Sequence, residues 1–146
     1  GGIANLSEGI IQLQNSLLGN NYDLDGSAPE CSGDIISQGY NLIEFMAGCN
    51  LNTSDTDIHD ADPYLVPLAN NGGSTLTHAL WALSPALDHI PVGENGCGTV
   101  IKSDQRGIER PMDAELDGNS ACDVGSVEML EGSAVLNYTF LSLVIR

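Results

Sequence analysis

The chain has 146 residues, of which 42% are hydrophobic and only 5% aromatic, enough for one domain, or part of a larger one, with a thin aliphatic core. Four Lys+Arg face twenty Asp+Glu, a formal charge of −16, and the first basic residue along the chain is Lys102. Such a surface repels phosphate backbones and anionic headgroups, which excludes nucleic acid and disfavours anionic membranes while leaving divalent cations and cationic partners open.

Residues 1–50 read as short strands between polar turns. Ile10 to Leu18 is a β-type run bounded by Gly9 and Gly19-Asn20-Asn21, and Ile35 to Ile43 resembles it. Aligning the two places Ile10 over Ile36, Gln12 over Gln38, Asn15 over Asn41 and Leu17 over Ile43, an offset of 26 residues that suits solenoid coils. Asn15 over Asn41 predicts an internal asparagine ladder, in which amide side chains satisfy each other between coils. Asn50 to Asp62 reads as an acidic loop. Pro63 to Leu68 then returns as an edge or turn, because proline cannot donate to a ladder. Gly72-Gly73 forces a reversal, Leu76 to Leu83 is a short apolar segment, and 89–123 reads as irregular loops. The chain thus divides into strands over 1–50, a loop-rich region over 51–128 and an apolar strand over 129–146. In that last segment Leu136, Tyr138, Phe140, Leu141, Leu143 and Ile145 want cover on both faces. The segment is too short and too interrupted by Asn137, Thr139 and Ser142 to span a membrane.

Cys31, Cys49, Cys97 and Cys122 form an even set without a CxxC pair, which favours two disulfides over zinc and implies an oxidising compartment. Three connectivities exist. Cys31–Cys49 with Cys97–Cys122 is favoured because each closes a short loop inside one segment. Gly1-Gly2-Ile3-Ala4 lacks a basic leader region, so the expectation is a mature form or a fragment of an exported protein.

Several strings, in order, carry a family likeness: Gly2-Ile3-Ala4-Asn5, Asn15-Ser16-Leu17-Leu18-Gly19-Asn20, Gly39-Tyr40-Asn41-Leu42-Ile43 and Asp62-Pro63-Tyr64-Leu65. Pro67 to Gly73, Ser84-Pro85-Ala86-Leu87-Asp88, Asp104-Gln105-Arg106-Gly107 and Cys122-Asp123-Val124-Gly125 continue it. Over roughly residues 1–128 the chain resembles the C-terminal end of secreted bacterial right-handed parallel β-helix proteins. These are the choice-of-anchor Q group and the related polymorphic outer-membrane-type repeats. The resemblance implies an all-β right-handed parallel β-helix, a short solenoid closed by a loop-rich, disulfide-stapled cap, on a secreted or cell-surface protein without assigned catalysis. Two departures stand out. Only about two coils are visible here, and after Glu128 the family's linker and anchor give way to the apolar run Leu136 to Ile145.

Among candidate sites, Asp55, Asp57, Asp60 and Asp62 offer oxygens for Ca²⁺, the one cofactor considered, with a solvated loop as the competing reading. They lack the glycine and terminal glutamate of an EF-hand. Arg106 with Asp88, Asp123 and Glu128 reads as a structural hub, since a guanidinium's five donors tie loop carbonyls and carboxylates together and no nucleophile accompanies it. His59, His78 and His89 lack metal-ligand spacing, and Trp81 reads as a packing lid. A polysaccharide lyase needs cations to neutralise a polyanion, and residues 1–101 contain no Lys or Arg.

The expected function is therefore non-enzymatic, extracellular and structural, with copies joined head-to-tail into filaments through the C-terminal strand. The alternatives are a cell-surface adhesin or stalk segment with a carbohydrate or surface partner, and behind it a lyase.

Overall fold

The computed structural model describes residues 2–7, 9–24 and 30–134. It is mostly strand with almost no helix, and it separates into two compact units, Gly1–Pro63 and Tyr64–Arg146. Of the expected strand over 129–146, residues 131–134 form a turn and the start of a helical turn rather than strand, and residues 135–146 lie outside the described residues.

The first unit is built from short parallel strands. They are β1 (Ile3–Ala4), β2 (Ile11–Leu13), β3 (Leu17–Leu18), β4 (Cys31–Ser37), β5 (Leu42–Ile43), β6 (Cys49–Asn52) and β7 (Ile58–His59). β4 takes β1 and β2 along one edge and β6 along the other, while β3, β5 and β7 form a second parallel sheet. Three successive passes of chain thus contribute strands to the same two small sheets. Between the last two strands of the first pass and the strands of the second, the backbone turns through residues at positive φ: Asn15 (50°), then Gly39 (92°) and Tyr40 (56°). Asparagine and glycine enter that region at least cost. Leu13, Cys31, Ile35 and Ile43 form the buried core, lined by Ile3, Ile11, Leu18, Met46 and Leu51.

Two expectations are corrected here. Ile11 lies opposite Ile35 and Leu17 opposite Leu42, so the registers are 24 and then 25 residues rather than a uniform 26. The first pass spends more residues between β1 and β2 than the continuous strand β4 spends opposite them, and an alignment with one fixed offset cannot represent that excess. Asn5 closes the detour, its side-chain amide donating to the carbonyls of Gly9 (2.7 Å) and Asp34 (2.8 Å). Gly33, at φ 82°, has no room for a Cβ against the Asn5 carbonyl. The second correction concerns residues 50–62, read as loop, which contain most of β6 and all of β7. Their polarity is that of a one-sided strand: Leu51 turns to the core while Asn50 and Asn52 face out. Pairing with β4 outweighs the low strand propensity of asparagine.

The second unit has little regular structure. β8 (Ile90–Pro91) pairs antiparallel with β9 (Ala121–Cys122), and a 3₁₀ turn spans Glu94–Gly96. Antiparallel bridges Leu65–Leu80 and Ala69–Thr77 bracket the reversal at Gly72-Gly73. Gly73, at φ 79°, is pressed so close that a Cβ would sit 2.8 Å from Arg106 Cα, which is why the reversal uses glycine. Its buried apolar residues are mostly small, including Ala82, Ala86, Ala114, Ala121 and Ala134 beside Leu80, Ile90, Val124 and Val127. Disulfides join Cys31 to Cys49 in the first unit and Cys97 to Cys122 in the second, consistent with an extracellular or otherwise oxidising location. Among the described residues, no helix is long and apolar enough to cross a membrane.

Candidate functional site

The second unit encloses a cluster of charged side chains. Asp104, Arg110, Asp123 and Glu128 are all buried, and Arg106 and Asp88 lie beside them. A unit with so few strands leaves many amides without a ladder partner, and these carboxylates take them up.

Asp104 starts the arrangement. Its Oδ1 accepts from the backbone N–H of Arg106 (2.7 Å) and Ile108 (3.0 Å), an aspartate-centred turn closed by Gly107 at φ 87°. Its Oδ2 accepts from Glu128 N (3.0 Å). Arg106 is held by the same carboxylate through Nε at 2.8 Å and Nη2 at 2.7 Å. The guanidinium also donates to the carbonyl oxygens of Asn71 (3.2 Å) and Glu128, so it ties three loops together. Its carboxylate partner is therefore Asp104, which the sequence reading left out of the hub. The cation facing Glu128 is Arg110, with Nε 3.0 Å from Oε2 but not aligned as a hydrogen bond, while Nη2 donates to Gly125 O at 2.9 Å.

Glu128 accepts from Met112 N and Asp123 N, both at 3.0 Å. Asp123 accepts from Asp88 N (2.9 Å) and Met129 N (2.6 Å), and Asp88 accepts from Ala114 N (3.1 Å). Both carboxyl oxygens of Glu128 and of Asp123 are thus engaged by backbone amides. Asp88, Asp123 and Glu128 do converge, through main chain rather than through Arg106.

Burial dominates the electrostatics. It pushes Asp123 up to about 8, reinforced by the neighbouring Glu128 and opposed by the amides of Asp88 and Met129. Burial likewise pushes Glu128 up to about 7 against the Asp123 amide and Arg110, and Asp88 up to about 6 with help from Asp113, Glu115 and Asp117. Asp104 runs the other way: burial raises it, but the Glu128 amide, the Arg106 side chain and the Ile108 amide together hold it below the ordinary value.

Comparison of the chain with family models, curated proteins and solved structures finds no match. What the site does rests on its own geometry. Among the described residues, no group of three or more His, Cys, Asp and Glu is arranged to hold a metal ion. Asp55, Asp57, Asp60 and Asp62 are not brought together as a calcium centre. Instead Asp57 accepts from Asn41 N, Asn41 Nδ2 (both 3.0 Å) and Ser54 N (2.7 Å), and Asp60 Oδ1 accepts from Met46 N at 3.1 Å.

The asparagine pair is also rearranged. Asn41 is wholly buried. Its amide donates to Leu13 O (3.1 Å), Ser37 Oγ (2.9 Å) and Asp57, and its oxygen accepts from Ser16 N at 3.0 Å. It bridges the first pass to the third, with backbone on one side and a carboxylate on the other. Glu30, equally buried, was missed by the sequence reading. It accepts from Asn21 N (3.2 Å) and Asn21 Nδ2 (2.6 Å), and nothing in its flanking residues signals that burial. Asp104 was findable, because Asp-x-x-Gly is an aspartate-turn signature.

Proposed function

We propose that the chain is a non-enzymatic, extracellular structural protein of the right-handed parallel β-helix type. Its first unit is a stretch of coil, and the loop-rich, disulfide-bearing second unit follows it in sequence. The observation that carries this reading is the parallel stacking of three successive chain passes on two sheets. Among the described residues, β2 and β3 in the first pass have a hydrogen-bonded neighbour on one side only. Leu6 and Ile10, in the detour beside that open edge, are exposed at 88% and 76%. An open edge flanked by exposed apolar side chains favours the addition of another strand.

The donor in this reading is the apolar run 134–145 of a second copy, which makes a heterologous joint and propagates as a filament. Negative-stain microscopy and light scattering on the chain, with and without residues 134–146, test it. Polymers that vanish on truncation support the joint; polymers that persist overturn it. The use of charge supports a non-enzymatic role. Arg106 and Arg110 are committed to buried partners, which leaves Lys102 as the exposed cation among the described residues. That is too little positive charge to bind a polyanionic sugar. A panel of acidic polysaccharides, assayed with and without Ca²⁺, should give no cleavage. The second reading, an adhesin or stalk, is favoured by the exposed Tyr64 and Trp81, and a monodisperse monomer in solution would select it.

A further inference from the structure

The buried carboxylates form a relay in which each holds the backbone of the next. Asp104 accepts Glu128 N, Glu128 accepts Asp123 N, Asp123 accepts Asp88 N, and Asp88 accepts Ala114 N. The Ala114 carbonyl then accepts Ala134 N at 3.1 Å, so the relay reaches the last described residue. Segments far apart in sequence, around residues 88, 104, 112–114 and 122–129, are joined by it beside the Cys97–Cys122 disulfide and backbone bonds such as Val124 N to Ala86 O and Gln105 N to Ser126 O.

The charges do not balance. Among the described residues, Arg106 is matched by Asp104 and Arg110 by Glu128, which leaves Asp123 and Asp88 without a cation. The charged groups acting on Asp88 include Asp113, Glu115, Asp117, Asp123 and Glu128, all of the same sign. Asp123 is 1% exposed, and Glu128, itself a carboxylate, is next to it and holds its amide. Two full negative charges in so dry a space repel strongly, whereas one proton on the pair removes the conflict.

We infer that the Asp123–Glu128 pair is a proton-held latch that closes the second unit when protonated and releases it in mild alkali. Solvent base takes the proton, the two carboxylates separate, and the amides of Asp88, Met129 and Met112 lose their acceptors. The polypeptide stays tied by the disulfide, and because there is no free cysteine the change involves no thiol exchange. The latch is a property of the second unit alone and stands whether or not copies assemble through 134–145.

The sign follows from the direction of the shifts. Both groups are raised above their unfolded values, so their contribution is complete below about pH 4 and is lost as pH rises toward 7 and 8. One extra proton in the closed state makes the opening constant rise about tenfold per pH unit across that window. Hydrogen exchange of the wild-type chain between pH 5 and 9, corrected for intrinsic base catalysis, reads this directly. Peptides covering 112–129 should lose protection with that slope and regain it on return to pH 5. Asp123→Asn and Glu128→Gln, neutral at every pH, should flatten the slope while lowering protection at pH 5. Protection of 112–129 that is flat with pH in the wild type overturns the latch, as does a slope unchanged in both variants. If neither variant folds, carbon-13 titration of the wild-type carboxyls decides: at least one must titrate above pH 6, and none doing so sinks the proposal.

Discussion

The two units solve the same problem by opposite means. In the first, backbone amides find partners in the next pass of chain, and buried polar side chains such as Asn41 and Glu30 only complete the turns. In the second, strands are scarce, and Asp104, Asp123, Glu128 and Asp88 do for the amides what a sheet does elsewhere. Repetition lets a short, aliphatic sequence bury itself against its own next pass. Where repetition stops, irregular backbone must be satisfied by side chains, and the cost is charge brought into a dry interior.

The strongest way to test that contrast is to remove a cation from the second unit. Arg110→Ala leaves Glu128 buried beside Asp123 without compensation and should cost about 4 kcal/mol, the scale for breaking a buried pair. Denaturant unfolding followed by Trp81, the single tryptophan, reports it in that unit. A loss below about 1 kcal/mol, the range of exposed ion pairs, would mean the second unit does not depend on its charges.

Ile35→Ala is the matching change in the first unit. Ile35 is 1% exposed at the centre of the core cluster, and its truncation should cost about 3 kcal/mol through lost transfer energy and a residual cavity. Hydrogen exchange in 31–43 measures the effect. Unchanged protection there would show that the aliphatic core is not what holds the passes together.

Asn41→Ala should cost less, about 2 kcal/mol, since it strands Ser16 N and one side of Asp57 without touching the apolar core. The loss should concentrate in peptides covering 13–17 and 54–58. Protection lost evenly over the whole unit would argue against Asn41 as a local bridge.

The smallest expected effect is also the one opposite in sign to the Asp123–Glu128 pair. Burial raises Asp57, but hydrogen bonds from Ser37, Ser54 and Asn41 outweigh it and leave the carboxyl below its ordinary value. A lowered group contributes stability above its unfolded value, and that stability is lost as pH falls below about 4. The Asp57 turn should therefore loosen slightly in acid, as should the Asp104 turn of the second unit, while the Asp123–Glu128 region loosens toward alkali. Parallel pH profiles for peptides covering 54–58 and 122–129 would erase the distinction.

Much of the first unit is legible along the chain. The apolar runs around Ile11 and Ile35 and the turn residues Asn15 and Gly39 mark strand, turn and strand from local chemistry alone. The registers escape such reading, because the detour between β1 and β2 adds residues in one pass and not in the next. β6 escapes it too, since Asn50-Leu51-Asn52 looks like loop until the edge of β4 is there to receive it. In the second unit the Asp-x-x-Gly turn at Asp104 is a local signal, whereas the meeting of Asp123 with Asp88 is not.

By itself the sequence determined an acidic, cysteine-paired, turn-rich and almost helix-free chain, because charge, cysteine count and the φ preferences of asparagine and glycine act residue by residue. Only the tertiary structure decided which guanidinium faces which carboxylate and which carboxyls share a dry interior. Those outcomes depend on burial and on distances between residues far apart in sequence, such as Asp88 and Asp123, and no local preference encodes them.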